Sequence, residues 1–311
     1  PPVRPLASRA TMIRTLAAGC CAALALLAAP SAGSAATIGI GDQQASMFSS
    51  PLFQQLDVPI VRYIAPYDAM DHGDDARNAA AFIEAAQKAG ARVLVAFYHS
   101  RHTPMKLPSR SQYIRATRKF IRAFPYVREY QPWNEANRGT VKGQFASPSA
   151  RTAATYYMAL RSICTGCTVT GLDLLDGVDM GPSLRYLRTF QKYAKPAPRI
   201  WGLHNYSDTN RNSMERTRAF LRAVRGSVWL TETGGVVKLG STFPGGRTGQ
   251  ERAAKALRLM FRIADAFPRI KRLYIFQWTG SGPNARFDAG LTNPDGTARP
   301  GYRVVRDRIG S

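Results

Sequence analysis

Short apolar runs rich in β-branched residues alternate along the chain with longer stretches in which apolar positions recur every three or four residues. The strand-like runs are Thr37–Gly41, Ile60–Ala65, Arg92–Tyr98, Arg128–Trp133, Thr168–Leu174, Arg199–Asn205, Val228–Glu232 and Leu273–Trp278. Helical periodicity follows nearly every one, over Asp74–Ala89, Ser109–Phe124, Ser149–Cys164, Gly181–Tyr193, Ser213–Val224, Thr248–Phe267 and a short Tyr302–Ile309. A weaker helix over Met47–Leu56 carries Pro51 within it. In the first long helix Ala81, Phe82, Ala85 and Ala89 mark one apolar face, with Asn78, Glu84, Gln87 and Lys88 polar. Gly90 then stands where a helix usually stops, and Ser149 and Ser213 are suited to N-caps. Eight strand–helix units imply a parallel sheet. With no linker or change of composition between them, they close best into a single (β/α)8, or TIM, barrel of the α/β class. One residue fits poorly: Pro132 lies in the fourth strand, where a missing N–H calls for a bulge or a strand end.

The barrel is expected over residues 37–311, preceded by a segment, residues 1–36, that reads as targeting rather than structure. From Met12, Arg14 gives a positive start, Cys20–Ala29 an apolar run, and Ser34-Ala35-Ala36 a small-residue cleavage site. That run is too short for a membrane span, which takes roughly 20 residues. The sequence therefore predicts a secreted, extracellular protein with no membrane span. Secretion also suits a disulfide between Cys164 and Cys167, which lie in a turn between a helix and a strand; a reduced pair is the alternative.

The formal net charge is +23. Removal of the first segment would take Arg4, Arg9 and Arg14 with it, leaving about +20. Such a balance favours anionic partners, and an acidic or wall-linked glycan fits it. The Arg residues are scattered, which speaks against a nucleic-acid groove. No G-x-G-x-x-G follows the first strand, so a dinucleotide site lacks support.

Catalytic groups of an eight-fold barrel come from the C-terminal ends of its strands. The fourth ends Trp133-Asn134-Glu135 and the seventh Leu230-Thr231-Glu232, each placing one carboxylate at the mouth. Strands four and seven lie nearly opposite, so the two acids can meet over one bond, as glycosidic cleavage requires. A lone Glu after an apolar run is as readily a helix N-terminal residue; two at matching positions are not so easily explained. Arg62 is a charge inside an apolar strand and needs a carboxylate partner. The third strand ends Tyr98-His99, the sixth His204-Asn205-Tyr206, and the eighth Gln277-Trp278. Each has a structural reading alone, as a core His, a packing Trp or an ion-paired Arg. Together they converge on one face.

This set resembles clan A of the glycoside hydrolases, with a pattern similar to family 5 and nearly as similar to family 39. Family 5 has an Arg on strand two, a His on strand three, Asn-Glu on strand four, His-x-Tyr on strand six, Glu on strand seven and Trp on strand eight. Arg62, His99, Asn134, Glu135, His204, Tyr206, Glu232 and Trp278 stand at those places. The resemblance implies retention of anomeric configuration, with Glu135 as acid/base and Glu232 as nucleophile. Arg62 and the Tyr206 hydroxyl would keep Glu232 ionised. Glu135 would hold its proton through burial and its neighbour's negative charge. Asn134 would bind the sugar 2-hydroxyl, Trp278 would floor the pocket, and His99 and His204 would orient neighbours or bind hydroxyls.

The loops Pro66–Asp75, Arg138–Phe145 and Val236–Arg247 are expected to wall the sugar subsites, with Lys142, Lys238 and Arg247 available to acidic groups. His99-Ser100-Arg101-His102 is a poor metal motif, because Arg101 separates the histidines; no metal and no cofactor are expected. The expected protein is a monomeric enzyme cleaving β-glycosidic bonds of a poly- or oligosaccharide. The alternative is a barrel that binds glycan without hydrolysis, or a cationic protein of the cell envelope.

Overall fold

The computed structural model describes residues 35–310. The secretory signal expected over Met12–Ala36 lies outside them, apart from Ala35 and Ala36. Among the described residues no helix is long and apolar enough to cross a membrane.

The strands of the barrel are β1 (Thr37–Gly41), β2 (Ile60–Pro66), β3 (Arg92–Tyr98), β4 (Glu129–Gln131), β5 (Thr168–Val169), β6 (Asp173–Leu175), β7 (Ile200–His204), β8 (Ser227–Thr233) and, beyond a short strand β9 (Lys238–Leu239), β10 (Ile270–Phe276). They form one sheet in the order β5-β4-β3-β2-β1-β10-β8-β7-β6, and every pairing in it is parallel. β5 and β6 are two halves of one stave. The first half pairs with β4 and the second with β7, and between them Gly171 donates to Ile200 O at 2.9 Å. The ring is therefore closed, with eight staves: β1, β2, β3, β4, the β5–β6 segment, β7, β8 and β10. β9 pairs antiparallel with β11 (Phe287–Asp288) as a small ribbon at the C-terminal face.

The helices form an outer layer: α1 (Pro51–Leu56), α2 (Gly73–Lys88), α3 (Arg110–Ala123), α4 (Ala150–Ile163), α5 (Gly181–Tyr193), the single turn α6 (Tyr206–Asn210), α7 (Glu215–Ala223), α8 (Gly246–Ala266) and α9 (Pro300–Ile309). Ala79, Phe82, Ile83 and Ala86 of α2 are buried at helical spacing against the sheet, and Gly90 follows at φ 72°. Ser109 and Gln112 form a reciprocal capping box at α3, and Ser149 Oγ accepts from Thr152 N at α4.

The departures from expectation have local causes. Pro132 ends β4 at Gln131. The stretch expected as a helix over Met47–Leu56 is a 3-10 turn at Ala45–Ser49 followed by α1, with Pro51 in the first turn where its missing N–H costs nothing. Ser213 is not the N-cap of α7. Its Oγ accepts from Glu215 N, and the buried Asp208 carboxylate takes the amides of Arg216 and Thr217. Cys164 and Cys167 form a disulfide.

Candidate active site

Arg62 stands at the centre of the C-terminal face, 1% exposed. Its side chain points inward from β2, and burying a guanidinium demands partners on every donor. It donates from Nε to Gln131 Oε1 (2.8 Å), from Nη1 to Glu232 Oε2 (2.9 Å), and from Nη2 to Asn134 Oδ1 (2.6 Å) and Asp173 Oδ2 (2.8 Å). One residue thus ties β4, β6, β8 and the turn after β4 together. Asp173 also accepts from Thr231 Oγ1 and lies 3.1 Å from His204 Nε2. Gly202 on β7 makes room for this: a Cβ there would lie 2.5 Å from Asp173 Oδ1 and 2.9 Å from both Gln131 Nε2 and Thr231 Oγ1.

His204 is fully buried, with Nδ1 3.1 Å from Glu135 Oε1. Burial alone would lower its pKa. The charges of Asp173 and Glu232 and the hydrogen bonds to Asp173 and Glu135 outweigh it and push the pKa up to about 10. His204 is therefore a cation near neutral pH. Asp173 is the converse case: burial pushes its pKa up, and His204 and Arg62 together hold it well below the usual carboxylate range.

Glu135 and Glu232 complete the centre. A carboxylate oxygen of each and a ring nitrogen of His204 all lie within 4.8 Å of one another. Glu232 accepts from Arg62 and, on Oε1, from the Tyr206 hydroxyl at 3.0 Å. Glu135 follows Pro132, Trp133 and Asn134 in a turn still bonded to the sheet, with Asn134 N donating to Phe97 O and Ala136 N to Asp173 O. Its φ is +44°, in the left-handed region that L residues other than Asn, Asp and Gly rarely occupy. Strain of this kind, of order 1–3 kcal/mol, gathers at functional sites. The turn closes with Arg138 N donating to Glu135 O at 2.9 Å, which brings Arg138 Nη1 onto Glu135 Oε2 at 2.6 Å.

That contact reverses one expectation. Burial raises the pKa of Glu135, but hydrogen bonds and charge from His204 and Arg138 outweigh it, and the net direction is down. Glu135 is held ionised by two cations, not protonated by its neighbour's charge.

Six of the eight sequence-predicted residues, Arg62, Asn134, Glu135, His204, Tyr206 and Glu232, thus form one bonded cluster. His99 is not in it. Its ring stacks on Phe145 (5.2 Å between centroids) and its Nδ1 faces Ser100 O at 3.0 Å. From β3 it is Tyr98 whose hydroxyl feels both Glu135 and Glu232; its pKa is raised, first by burial and then by those charges. Trp278 is not the pocket floor. β10 ends at Phe276, and the Trp278 ring packs edge-on against Phe53 of α1 and Tyr302 of α9. The half-buried ring beside Tyr206 is instead Phe287, 6.1 Å away, and it stacks on half-buried Phe276 at 6.3 Å. Two of the expected loop cations are engaged elsewhere: Lys238 Nζ donates to Pro283 O, and Arg247 pairs with Glu251.

Four contributors escaped the sequence reading: Asp173, Gln131, Thr231 and Arg138. Asp173 was within reach, since it is a charge inside an apolar run as Arg62 is, and the two are each other's partners. Among the described residues Glu135, His204 and Glu232 are the group whose ligand atoms converge as a metal site would need. Each of the three already has a hydrogen-bond partner of its own: Arg138 for Glu135, Asp173 for His204 and Arg62 for Glu232.

No family model matches the chain, and no curated protein matches it in sequence. Solved structures do. A GH5_18 protein from Streptomyces cattleya in complex with Manβ1-4GlcNAc matches with TM-score 0.61 and 14% identity over 88% of this chain and 80% of that one. A thermostable mutant of a xylanase from Cellvibrio japonicus matches with TM-score 0.64 and 13% identity, over 89% and 98%. Xylanase 10B from Thermotoga petrophila RKU-1 in complex with xylobiose gives 0.59 and 14%, over 88% and 93%. In fold, then, the chain is a (β/α)8 barrel similar to the GH5_18 proteins and GH10 xylanases, the same direction in which its strand-end residues point.

Proposed function

We propose that this chain is a secreted retaining glycoside hydrolase acting on a β-linked poly- or oligosaccharide. One observation carries the reading: an oxygen of the carboxylate on the fourth stave lies within 4.8 Å of an oxygen of that on the seventh, which favours the ~5–5.5 Å spacing of retaining enzymes over the ~6.5–9.5 Å of inverting ones. The roles follow from the resemblance, which puts the acid/base on strand four and the nucleophile on strand seven. Glu232, fixed by Arg62 and Tyr206, attacks the anomeric carbon as Glu135 gives its proton to the departing glycosidic oxygen. In the second half Glu135 takes a proton from water, the water oxygen attacks the same carbon, and the bond to Glu232 breaks, restoring both groups. Asn134, held by Arg62, is placed beside both acids to meet a sugar hydroxyl. The neighbours named above and the strand-end pattern support the same class of reaction.

The test is hydrolysis of a panel of β-linked glycans by the wild type and Glu232→Gln, with the anomeric form of the first product followed by NMR. The reading predicts a β-anomer product and loss of turnover in the variant. Equal hydrolysis by both proteins, or an α-anomer formed first, overturns it.

A further inference from the structure

In the mechanism above the proton donor must carry a proton when substrate is bound, yet Glu135 lies clamped between two cations. His204 cannot leave: it is fully buried and tied to Asp173. Arg138 can. Its side chain is 48% exposed, whereas that of Glu135 is 6% exposed. Among the described residues its guanidinium makes one hydrogen bond, from Nη1 to Glu135 Oε2, and lies 5.5 Å over the Phe145 ring. The remaining donors of a planar fork suited to carboxylates therefore face the open mouth.

We propose that Arg138 is the receptor for a carboxylate on the substrate, so that the preferred glycan contains hexuronic acid, and that moving onto this carboxylate releases Glu135 to take up its proton. The proposal rests on the hydrolase reading and adds a substrate class to it. The surroundings divide: residues 66–75 after β2 include Asp68, Asp71, Asp74 and Asp75, while three other loops are cationic. The loop after β4 carries Arg138 and Lys142 and no carboxylate besides Glu135; the loops 234–245 and 277–286 carry Lys238 and Arg286 and no carboxylate at all. A neutral sugar offers nothing to draw the guanidinium off an ionised partner at 2.6 Å. A substrate carboxylate offers an equivalent partner, bidentate where Glu135 gives one oxygen. The exchange leaves Glu135 facing His204 from β7, Tyr98 from β3, Tyr206 from α6 and Glu232 from β8. With Arg138 neutralised by the ligand, burial and the Glu232 charge act on Glu135 against one cation instead of two.

Hexuronic-acid oligosaccharides and their methyl esters make the test, since the ring is the same and only the charge is removed. Binding is measured by calorimetry on Glu232→Gln with and without Arg138→Gln, and turnover on the wild type and the single Arg138→Gln variant. The free acid is expected to bind and react at least about tenfold better than the ester, and Arg138→Gln to bring that ratio to near one. On an uncharged substrate the basic limb of kcat/KM should move to higher pH in Arg138→Gln, because a cation beside the proton donor is gone. Equal affinity for acid and ester in the wild-type loop, or a loss in Arg138→Gln that falls equally on both, overturns the proposal, as does a basic limb that stays in place. Should no glycan be hydrolysed, the hydrolase reading fails by itself, and the calorimetric ratio still judges the carboxylate receptor.

Discussion

The barrel buries charge at both ends, and the two ends are built differently. At the N-terminal end Glu129 of β4 accepts two hydrogen bonds from Arg272 of β10, directly across the ring. Arg92 of β3 stands 3.7 Å away, and the Arg272 guanidinium lies 3.9 Å over the Trp229 ring. Ile60, Leu94 and Tyr274 pack around this pair as the lowest layer of the barrel interior. One carboxylate meets two cations, both its oxygens are used, and no residue there has left-handed backbone. At the C-terminal end three carboxylates share Arg62, His204 and Arg138 across five staves, and Glu135 sits at φ +44°. Burial of an ion pair in a barrel is thus no sign of chemistry by itself. Since Arg92 at the lower end is 57% exposed and Arg138 at the upper end 48%, a solvent-reaching cation does not separate them. What distinguishes the upper cluster is three carboxylates converging on shared cations and a backbone held away from its preferred conformation.

The largest effect that can break this contrast is on turnover. Glu232→Gln should lower kcat by about 10^4-fold or more, the scale of losing a nucleophile, and Glu135→Gln by about 10²–10⁴-fold, the scale of losing an acid/base. Glu129→Gln should leave kcat/KM unchanged. Steady-state rates on one cleaved glycan decide it, and a comparable loss in Glu129→Gln would mean that the lower pair takes part after all.

Stability comes next and should rank the ends. Arg62→Met leaves Asp173 buried without a guanidinium, and breaking a buried pair in this way costs about 3–5 kcal/mol. Arg272→Met strands Glu129 less completely. Arg272 is 14% exposed and Glu129 10%, so water can reach the orphan and the expected loss is smaller, about 1–3 kcal/mol. Urea unfolding of the two variants beside the wild type measures both, and the order of the losses is the point at issue.

These expectations also mark what the sequence could carry. The staves were legible because eight apolar runs recur between amphipathic stretches, and six site residues because charges and amides at strand ends have few other uses. What was missed depends on where a strand stops. β10 ends at Phe276, two residues before the expected end, so Trp278 lies past the strand, where the alternation of faces no longer places its side chain. Trp278 packs on the helical layer, and the ring beside Tyr206 is Phe287, stacked on Phe276. The hold of Arg138 on Glu135 was illegible for a different reason. It follows from a left-handed Glu, and no local propensity predicts one. A variant that keeps Trp278 apolar, Trp278→Leu, should cost stability through the lost packing on Phe53 and Tyr302, about 1–3 kcal/mol, while KM for a short glycan stays as in the wild type. A large rise in KM with unchanged stability would return the ring to the pocket.

The last effect is spread over several pH units and concerns the proton that keeps the upper cluster in balance. His204 has a pKa of about 10 in the folded protein, against about 6.5 for a free imidazole. The folded state thus binds this proton more tightly than the unfolded chain does. The stabilisation is fully present below about pH 6.5 and is lost as pH rises toward 10, at no more than about 1.4 kcal/mol per pH unit for one group. Asp173 acts in the opposite window: its depressed pKa gives stability that is present above the usual carboxylate range and disappears in acid. His204→Gln keeps a polar side chain between Glu135 and Asp173 but cannot take up the proton. The difference in unfolding free energy between wild type and His204→Gln should therefore shrink steadily between about pH 6.5 and 10, while the same difference for Arg272→Met stays flat. If the His204 difference is flat as well, the imidazole is neutral in the fold. Arg138 would then be the only cation on Glu135, and substrate would have a single clamp to undo.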